Sequence, residues 1–456
     1  MLVLASTDAT DPKVIASYLL DANSFTPSTE GNVKTYKMES PIETVVGNVN
    51  VYAFVNPKNG LTFTPGESIN RVLTVADYTS LNSGMGNANA TFFMANTKDV
   101  STDLKAFNAT DWNESSDRIN KITVEVERFV SKVTFAKNTT VENETYTVKD
   151  GDVTVASAKV IGTNIINLNK KSNLLKQNMW YYDVDPHTYT NLFYVEDPNT
   201  TVMAYNTEED KTAANSYITE NFTYTSAVDD DFKAVDDPNG LFYCLENTMF
   251  TPAAQQNGQT TGAIYKVEFT PNATNGFTAL AGGEGTTLGD NYKKYNATYP
   301  LGTDFWEQTA ETKDFYVCND LIFGNKEAAI FYKMLSDKTT VMTDEEITAF
   351  KTSYETEITK EDADLDYLTK YTDGICYYTA WIKHNAGETE FMAKGKYGVV
   401  RNHWYEMTVN SIKGLGTAKP TIPSTPEQPD DKVKSKLEVS VKIVPWRYIS
   451  QSVDLE

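Results

Sequence analysis

Histidine and cysteine are both scarce in this 456-residue chain, with three of each. Cys244, Cys318 and Cys376 lie far apart without CxxC spacing, and each sits in an apolar or aromatic run. An odd count excludes a complete internal disulfide framework, and the apolar surroundings predict buried free thiols. His187, His384 and His403 form no HExxH pattern and no pair four residues apart. A histidine-based metal or catalytic centre therefore lacks raw material. GxSxG, P-loop and GxGxxG patterns are missing as well. No catalytic, cofactor or metal residue is assigned, and the chain reads as a non-enzyme. No stretch approaches the roughly twenty apolar residues of a membrane span. The opening Met-Leu-Val-Leu-Ala has no basic segment before it and is too short for a signal peptide. Any export signal or lipid-anchoring cysteine is expected upstream of residue 1. Positive charge is in deficit, 40 Lys and Arg against 62 Asp and Glu, for a net charge of -22. A surface of that sign repels phosphate backbones, which argues against a nucleic-acid partner.

What the chain has in quantity is aromatic and β-forming residues. It carries 27 Tyr and 21 Phe, with Thr, Asn and Val throughout, a β-rich composition. The length exceeds what one core serves, so two domains are expected. Alternation marks strands over residues 48–55, 71–78, 91–95 and 153–161, and over 121–135 with a bend or bulge near Arg128. In the second half strands are expected over 241–245, 262–269, 315–322, 374–383, 395–400 and 403–412. Residues 1–45 are weakly patterned, and Asp11-Pro12 predicts a short helix as far as Leu20. Thr343 with Glu346 is a capping box, and Ile347, Phe350 and Tyr354 follow at helical spacing. A shorter helix is expected over 326–335. Asp-Pro pairs at 185–186 and 197–198 mark a boundary. The expected organisation is mainly β. An N-terminal β-sandwich covers 1–188, and a C-terminal β-sandwich with helical insertions covers 189–416. A Pro-rich tether over 417–435 leads to terminal strands over 436–456.

The chain closes on two strand patterns in tandem. Leu437, Val439, Val441 and Ile443 share one face, opposite Glu438, Ser440 and Lys442. Ile449, Val453 and Leu455 share a face of the second run. Pro445 has no donor N–H and is expected to interrupt the ladder between them, with Trp446 at the joint. Pro420, Pro423, Pro426 and Pro429 make the preceding segment an extended, semi-rigid spacer. Such a tail either closes its own sheet or enters the sheet of another molecule. On periodicity alone the first is the commoner case.

Several segments together resemble the FimA/Mfa-like fimbrillins of the Bacteroidales. They are Arg128-Phe129-Val130-Ser131-Lys132-Val133-Thr134-Phe135, then Phe242-Tyr243-Cys244-Leu245-Glu246-Asn247-Thr248. The most specific is Lys396-Tyr397-Gly398-Val399-Val400-Arg401-Asn402-His403-Trp404-Tyr405, with Val409-Asn410-Ser411-Ile412-Lys413-Gly414-Leu415-Gly416 after it. Val444-Pro445-Trp446 and Ser450-Gln451-Ser452-Val453-Asp454-Leu455 complete the set. The likeness is strongest after residue 240 and is closest to the major subunit of the short fimbriae of Porphyromonas. It implies two transthyretin-like β-sandwich domains in tandem with a C-terminal donor-strand extension. It also implies export as a lipoprotein precursor to a fimbria on the bacterial outer membrane, by the type V pilus route. There an Arg-specific protease removes an N-terminal strand, and the C-terminal strands of one subunit fill the groove left in the next. No Arg precedes Arg71, so such a cut is expected upstream of residue 1. The implied partners are identical subunits in a filament, accessory anchor and tip subunits, the processing protease, and host or bacterial surface receptors. The implied role is a shaft subunit supporting adhesion, virulence and biofilm formation. Leu437, Val439, Val441, Ile443, Trp446, Ile449, Val453 and Leu455 are the implied polymerisation residues. The alternative is a tip adhesin or a carbohydrate-binding surface lipoprotein of related fold. A tip subunit needs no onward donor strand, so an intact alternating C-terminus favours the shaft.

Overall fold

The computed structural model describes residues 1–30, 33–38, 40–57, 61–74, 92–106, 120–181, 193–199, 201–223, 232–235, 237, 240–248, 252–277, 285–308, 313–420, 426–432, 436–445 and 449–455. For residues 33, 178–181, 193, 444, 445 and 449–455 the description is of the backbone alone. Trp446 lies outside the described residues. The fold is mainly β with short helices, as the composition predicts.

The N-terminal part contains β1 (Leu2–Ala5), β2 (Val14–Tyr18), β3 (Phe25–Glu30), β4 (Val33–Met38), β5 (Gly47–Ala53), β6 (Val72–Thr74), β7 (Met94–Asn96), β8 (Val100–Leu104) and β9 (Asn120–Arg128). One sheet has the order β2-β1-β5-β8. A second runs β3-β4, then the last strand of the chain, then β9-β7. Leu2, Leu4, Val49 and Val51 of the first sheet meet Ile122, Val124 and Val126 of the second in a common core. The other face of the first sheet is buried too, with Val3, Ala5, Tyr52 and Phe54 packed among Phe63, Phe93 and Phe129. All four residues of β1 are therefore buried. A strand covered on both faces reads as one apolar run, which hides the period-two signal over residues 2–5. The helix expected from Asp11-Pro12 to Leu20 does not form. Val14–Tyr18 is instead a strand, paired antiparallel with β1 from Leu2↔Tyr18 to Ala5↔Val14. Pairing along the strand and burial of Val14 outweigh the weak helical signal of one Asp-Pro step.

The bend expected near Arg128 is a passage between sheets. Phe129, fully buried, is its corner, and β10 (Val130–Phe135) enters a different sheet from β9. The chain continues through β11 (Thr145–Asp150), β12 (Val153–Ile166), β13 (Leu168–Asn169), β14 (Lys171–Asn173), β15 (Gln177–Tyr181), β16 (Phe193–Glu196), α1 (Glu208–Asn221), β17 (Phe222–Thr223), β18 (Phe242–Leu245) and β19 (Gly262–Pro271). Then come α2 (Thr287–Thr298), β20 (Phe315–Cys318), β21 (Leu321–Phe323), α3 (Lys326–Ser336), α4 (Asp344–Glu357), β22 (Thr369–Tyr371), β23 (Ile375–Trp381), β24 (His403–Ile412), β25 (Leu437–Pro445) and β26 (Ile449–Leu455). Sheets β18-β10-β24-β25 and β11-β12-β19-β23 contribute to one core, which includes Val133, Tyr146, Val160, Val267, Tyr405 and Met407. Sheet pairing thus runs across residue 188. β10 and β12 precede it, yet they pair with β18, β24 and β19, which follow it.

Around α2, α3 and α4 an aromatic cluster, with Phe277, Tyr295, Trp306, Phe331 and Phe350, packs against the small sheet β21-β20-β22. The capping box forms as expected at the start of α4, between Thr343 and Glu346. α1 buries only Ala214, Ile218 and Asn221, too few positions to write an apolar stripe in the sequence. Residues 395–400 do not form the expected strand. They make the single bridges Asn247↔Val399 and Lys383↔Tyr397. Between these, Gly398 adopts φ +118°, and a Cβ there would stand 2.3 Å from the Asn247 carbonyl oxygen. Cys244, Cys318 and Cys376 are buried and free.

Candidate assembly site

The first tail strand is docked on its own subunit. β25 pairs antiparallel with β24 from Ile412↔Leu437 to His403↔Pro445. The ladder therefore reaches Pro445, and the strand ends there. Leu437 is 4 % exposed and Ile443 is 8 % exposed, both inside the core of the second pair of sheets. Val439 and Val441 are half-buried against the same core. The opposite face meets solvent and the polar edge of β24. Lys413 Nζ lies 3.1 Å from Glu438, Ser411 Oγ donates to Glu438 over 2.9 Å, and Lys442 Nζ stands 3.7 Å from Glu406. The predicted alternation of these four residues is thus realised. It depends on a bulge in β24 between Val409 and Ser411. Val409 and Ile412 are three residues apart and would point to opposite faces of a regular strand. The extra residue returns Ile412 to the core, opposite Leu437.

The second tail strand lies in the other pair of sheets. β26 pairs antiparallel with β9 over seven positions, from Ile449↔Val126 to Leu455↔Asn120. It pairs parallel with β4 over four positions, from Ile449↔Lys34 to Ser452↔Lys37. It is the central strand of the order β3-β4-β26-β9-β7. Ile449, Val453 and Leu455 are placed in this ladder by their backbone. Of the sequence-predicted assembly residues, Leu437, Val439, Val441 and Ile443 lie in one sheet, and Ile449, Val453 and Leu455 in another.

The root of the tail is fastened rather than free. Asn257 N–H donates to Gln428 C=O over 2.9 Å and Gly258 N–H to Pro426 C=O over 3.1 Å. A Cβ on Gly258 would stand 2.9 Å from Pro426 Cβ and 2.8 Å from Ile218 Cδ1, so only glycine permits this approach. Asp430 is buried and accepts from Thr260 Oγ1 at 2.5 Å. Burial pushes its carboxyl up to about 8. Asp431 accepts from Lys396 Nζ at 2.8 Å, from Tyr397 OH at 2.6 Å and from Met392 N–H at 2.5 Å. Burial works to raise the Asp431 carboxyl. The Lys396 ammonium, the Met392 N–H and the Tyr397 hydroxyl outweigh it and hold the group below its usual range. Within the segment expected as an open spacer, residues 426–432 are therefore anchored. The sequence signal was the acidic pair after the prolines, facing Lys396-Tyr397 in a motif already singled out.

Three of those motifs meet at one buried ion pair. Arg401 Nε and Nη2 donate to the two carboxylate oxygens of Glu246 at 3.0 and 2.9 Å, with both side chains at most 1 % exposed. The same guanidinium donates to Asn173 C=O, Leu174 C=O and Ser172 Oγ, and lies 4.2 Å from the centre of the Phe129 ring. Asn402 N–H donates to Val130 C=O over 2.9 Å. The corner at Phe129 is thus clamped by residues some 270 positions later. Nearby, Lys176 Nζ lies 2.8 Å from buried Glu127. Desolvation pushes the Glu127 carboxyl up, against the pull of that ammonium. His403 is buried beside this cluster, and loss of water drives its pKa down to about 4. Glu246 and Arg401 were legible as charges inside apolar runs, Cys244-Leu245-Glu246 and Val399-Val400-Arg401. Such placement demands a partner.

Three solved structures align along almost the whole chain. A proposed cell adhesion protein of Parabacteroides distasonis shares 12% identity, covers 98% of this chain and 93% of its own, and has a TM-score of 0.39. A proposed cell adhesion protein of Bacteroides eggerthii shares 12% identity over 99% of this chain and 89% of its own, with a TM-score of 0.33. A fimbrilin of Porphyromonas gingivalis shares 13% identity over 98% of this chain and 90% of its own, also at 0.33. All three superpose poorly despite that coverage. Among curated proteins none matches. Residues 369–452, from β22 through β25 into the first residues of β26, match the family described as major fimbrial subunit protein type IV, Fimbrillin, C-terminal.

Proposed function

We propose that this chain is the shaft subunit of a surface fimbria and that it polymerises head-to-tail by giving C-terminal strand residues to the next subunit. The observation that carries the reading is the position of β26. A sheet otherwise built from β3, β4, β7 and β9, all within the first 128 residues, has its centre filled from the far end of the chain. The strands beside it each have a second partner, β3 for β4 and β7 for β9. The slot can therefore outlast the departure of β26, and an identical strand from another copy fits the same register. An empty slot presents unpaired ladder groups on two edges, which drives refilling. The giving end and the receiving slot are different surfaces, so the contact is open-ended and extends a filament.

The fimbrillin C-terminal match over 369–452 supports the same reading. On it, the residues given to the next subunit are drawn from the tail that holds Leu437, Val439, Val441, Ile443, Trp446, Ile449, Val453 and Leu455. The partners are identical subunits together with accessory anchor and tip subunits, and the filament serves adhesion and biofilm contact at the outer membrane. Lipoprotein export and Arg-specific processing precede assembly. A two-domain organisation is part of the proposal, and the sheet pairing favours a passage between units at Phe129. Electron microscopy and size-exclusion chromatography of residues 1–456, 1–448 and 1–435 test it. Filaments are expected from the full chain alone, and filaments from the chain ending at 435 refute donation by the tail.

A further inference from the structure

We infer that the two tail strands have different roles: β25 is a resident strand of its own subunit, fastened by the Asp430–Asp431 clasp, and β26 alone passes to a second copy. The inference rests on the exchange proposed above and narrows its interface to the slot between β4 and β9.

Everything from Pro426 to Pro445 that is described is tied to the home subunit. Residues 426–430 bond to 255–260, and Asp431 bonds to Met392, Lys396 and Tyr397. Lys413 N–H then donates to Lys436 C=O over 2.7 Å, one residue before β25 begins. Leu437 and Ile443 complete the core that holds Tyr405, Met407, Val409 and Ile412. Removing β25 would open that core and strip the edge of β24. Removing β26 parts its sheet into the pairs β3-β4 and β9-β7. β9 keeps β7, β4 keeps β3, and Ile122, Val124 and Val126 keep their packing against Leu2, Leu4, Val49 and Val51. β26 follows the last fastened residues of the tail, and the surface between β4 and β9 fits residues 449–455 of another copy in the register recorded at home.

Two engineered disulfides separate the strands. Thr408→Cys with Ser440→Cys joins directly opposed residues of β24 and β25. Thr123→Cys with Ser452→Cys does the same for β9 and β26. Opposed positions of an antiparallel ladder lie within disulfide reach, and the three native thiols are buried and do not compete. Filament mass is measured by sedimentation and negative-stain microscopy, oxidised and after reduction. The expected result is that the oxidised β24–β25 lock assembles like the unlocked chain. The oxidised β9–β26 lock is expected to lose at least tenfold of the filament mass and to regain it on reduction, which excludes misfolding as the cause. Loss of assembly in the oxidised β24–β25 lock, restored by reduction, overturns the resident role of β25. Full assembly of the oxidised β9–β26 lock overturns the exchange reading itself.

Discussion

A resident β25 must stabilise the monomer, and that is measurable without any filament. Leu437 and Ile443 are 4 % and 8 % exposed and lie in a shared core with Tyr405 and Met407. Truncating a buried Leu or Ile to Ala removes its transfer energy and leaves a cavity, at a cost of about 2–5 kcal/mol. Leu437→Ala and Ile443→Ala are each expected to fall in that range. Lys442→Ala is the internal control. Its ammonium is 69 % exposed and 3.7 Å from Glu406, so its loss should cost under about 1 kcal/mol. Urea unfolding of the unpolymerised chain is the assay, followed by tryptophan emission and circular dichroism together. The chain has more than one core, so coincidence of the two signals must be checked before a single free energy is quoted. Trp381 and Trp404 stand in the sheets that β25 helps to enclose and report on them. A cost below about 1 kcal/mol for both apolar substitutions would refute the claim that β25 belongs to its own subunit's core.

Other consequences can be checked on the same material. Glu246→Ala strands the Arg401 guanidinium in the interior, and breaking a buried pair in this way costs about 3–5 kcal/mol; a loss under 1 kcal/mol in urea melts would show that the carbonyls of Asn173 and Leu174 suffice. Native thiols should not react with a soluble aromatic disulfide, because burial lifts Cys244 to about 12 and Cys318 to about 11, and three equivalents should react in denaturant. Stability should also carry opposed pH slopes. Asp430 and Asp197, held near 8 in the fold, contribute stability that is complete below pH 4 and is lost as pH rises through 8. His403, held near 4, contributes stability that is present above pH 6.5 and is lost as pH falls to 4. Asp430→Asn should therefore flatten the decline between pH 4 and 8, and an unchanged slope in urea titrations would exclude Asp430 as its source.

How much of this was legible depended on how many faces of each strand are covered. β25 has one covered face, so alternation points Leu437, Val439, Val441 and Ile443 inward, as they lie. β1 is covered on both, so Leu2–Ala5 reads as an unpatterned apolar run, and Asp11-Pro12 signals a helix where the chain forms β2. The passage at Phe129 left only a break in period, which marks a bend but not a change of sheet. Pairing of β10 with β24 spans about 270 residues, and no local pattern encodes it. The clasp was hidden for another reason. Four prolines state a preference for extended backbone, and Pro429 makes an antiparallel bridge with Gln256 just after a turn at Pro426. What fastens residues 426–432 is hydrogen bonds from 255–260 and from Lys396 and Tyr397, which the composition of a proline-rich spacer does not encode.

The home docking of β26 limits how assembly can be driven. Its ladder with β9 and β4 is the same ladder that a neighbour's strand would make, so exchange by itself gains few new contacts. The home strand also competes at the effective concentration of a short tether, on the order of millimolar. At lower subunit concentration the closed monomer prevails unless something holds the slot open. A slot filled during folding or export by a strand upstream of residue 1, and emptied only beside a waiting neighbour, would supply that bias. The proposed order of export first and processing second would meet that requirement. It predicts that the purified chain 1–456 assembles slowly and with steep concentration dependence. Adding 1–448, which has an open slot and no strand to give, should cap growing ends and shorten filaments in proportion to its fraction. Filament length unaffected by an equimolar amount of 1–448 would show that the slot between β4 and β9 is not where subunits join.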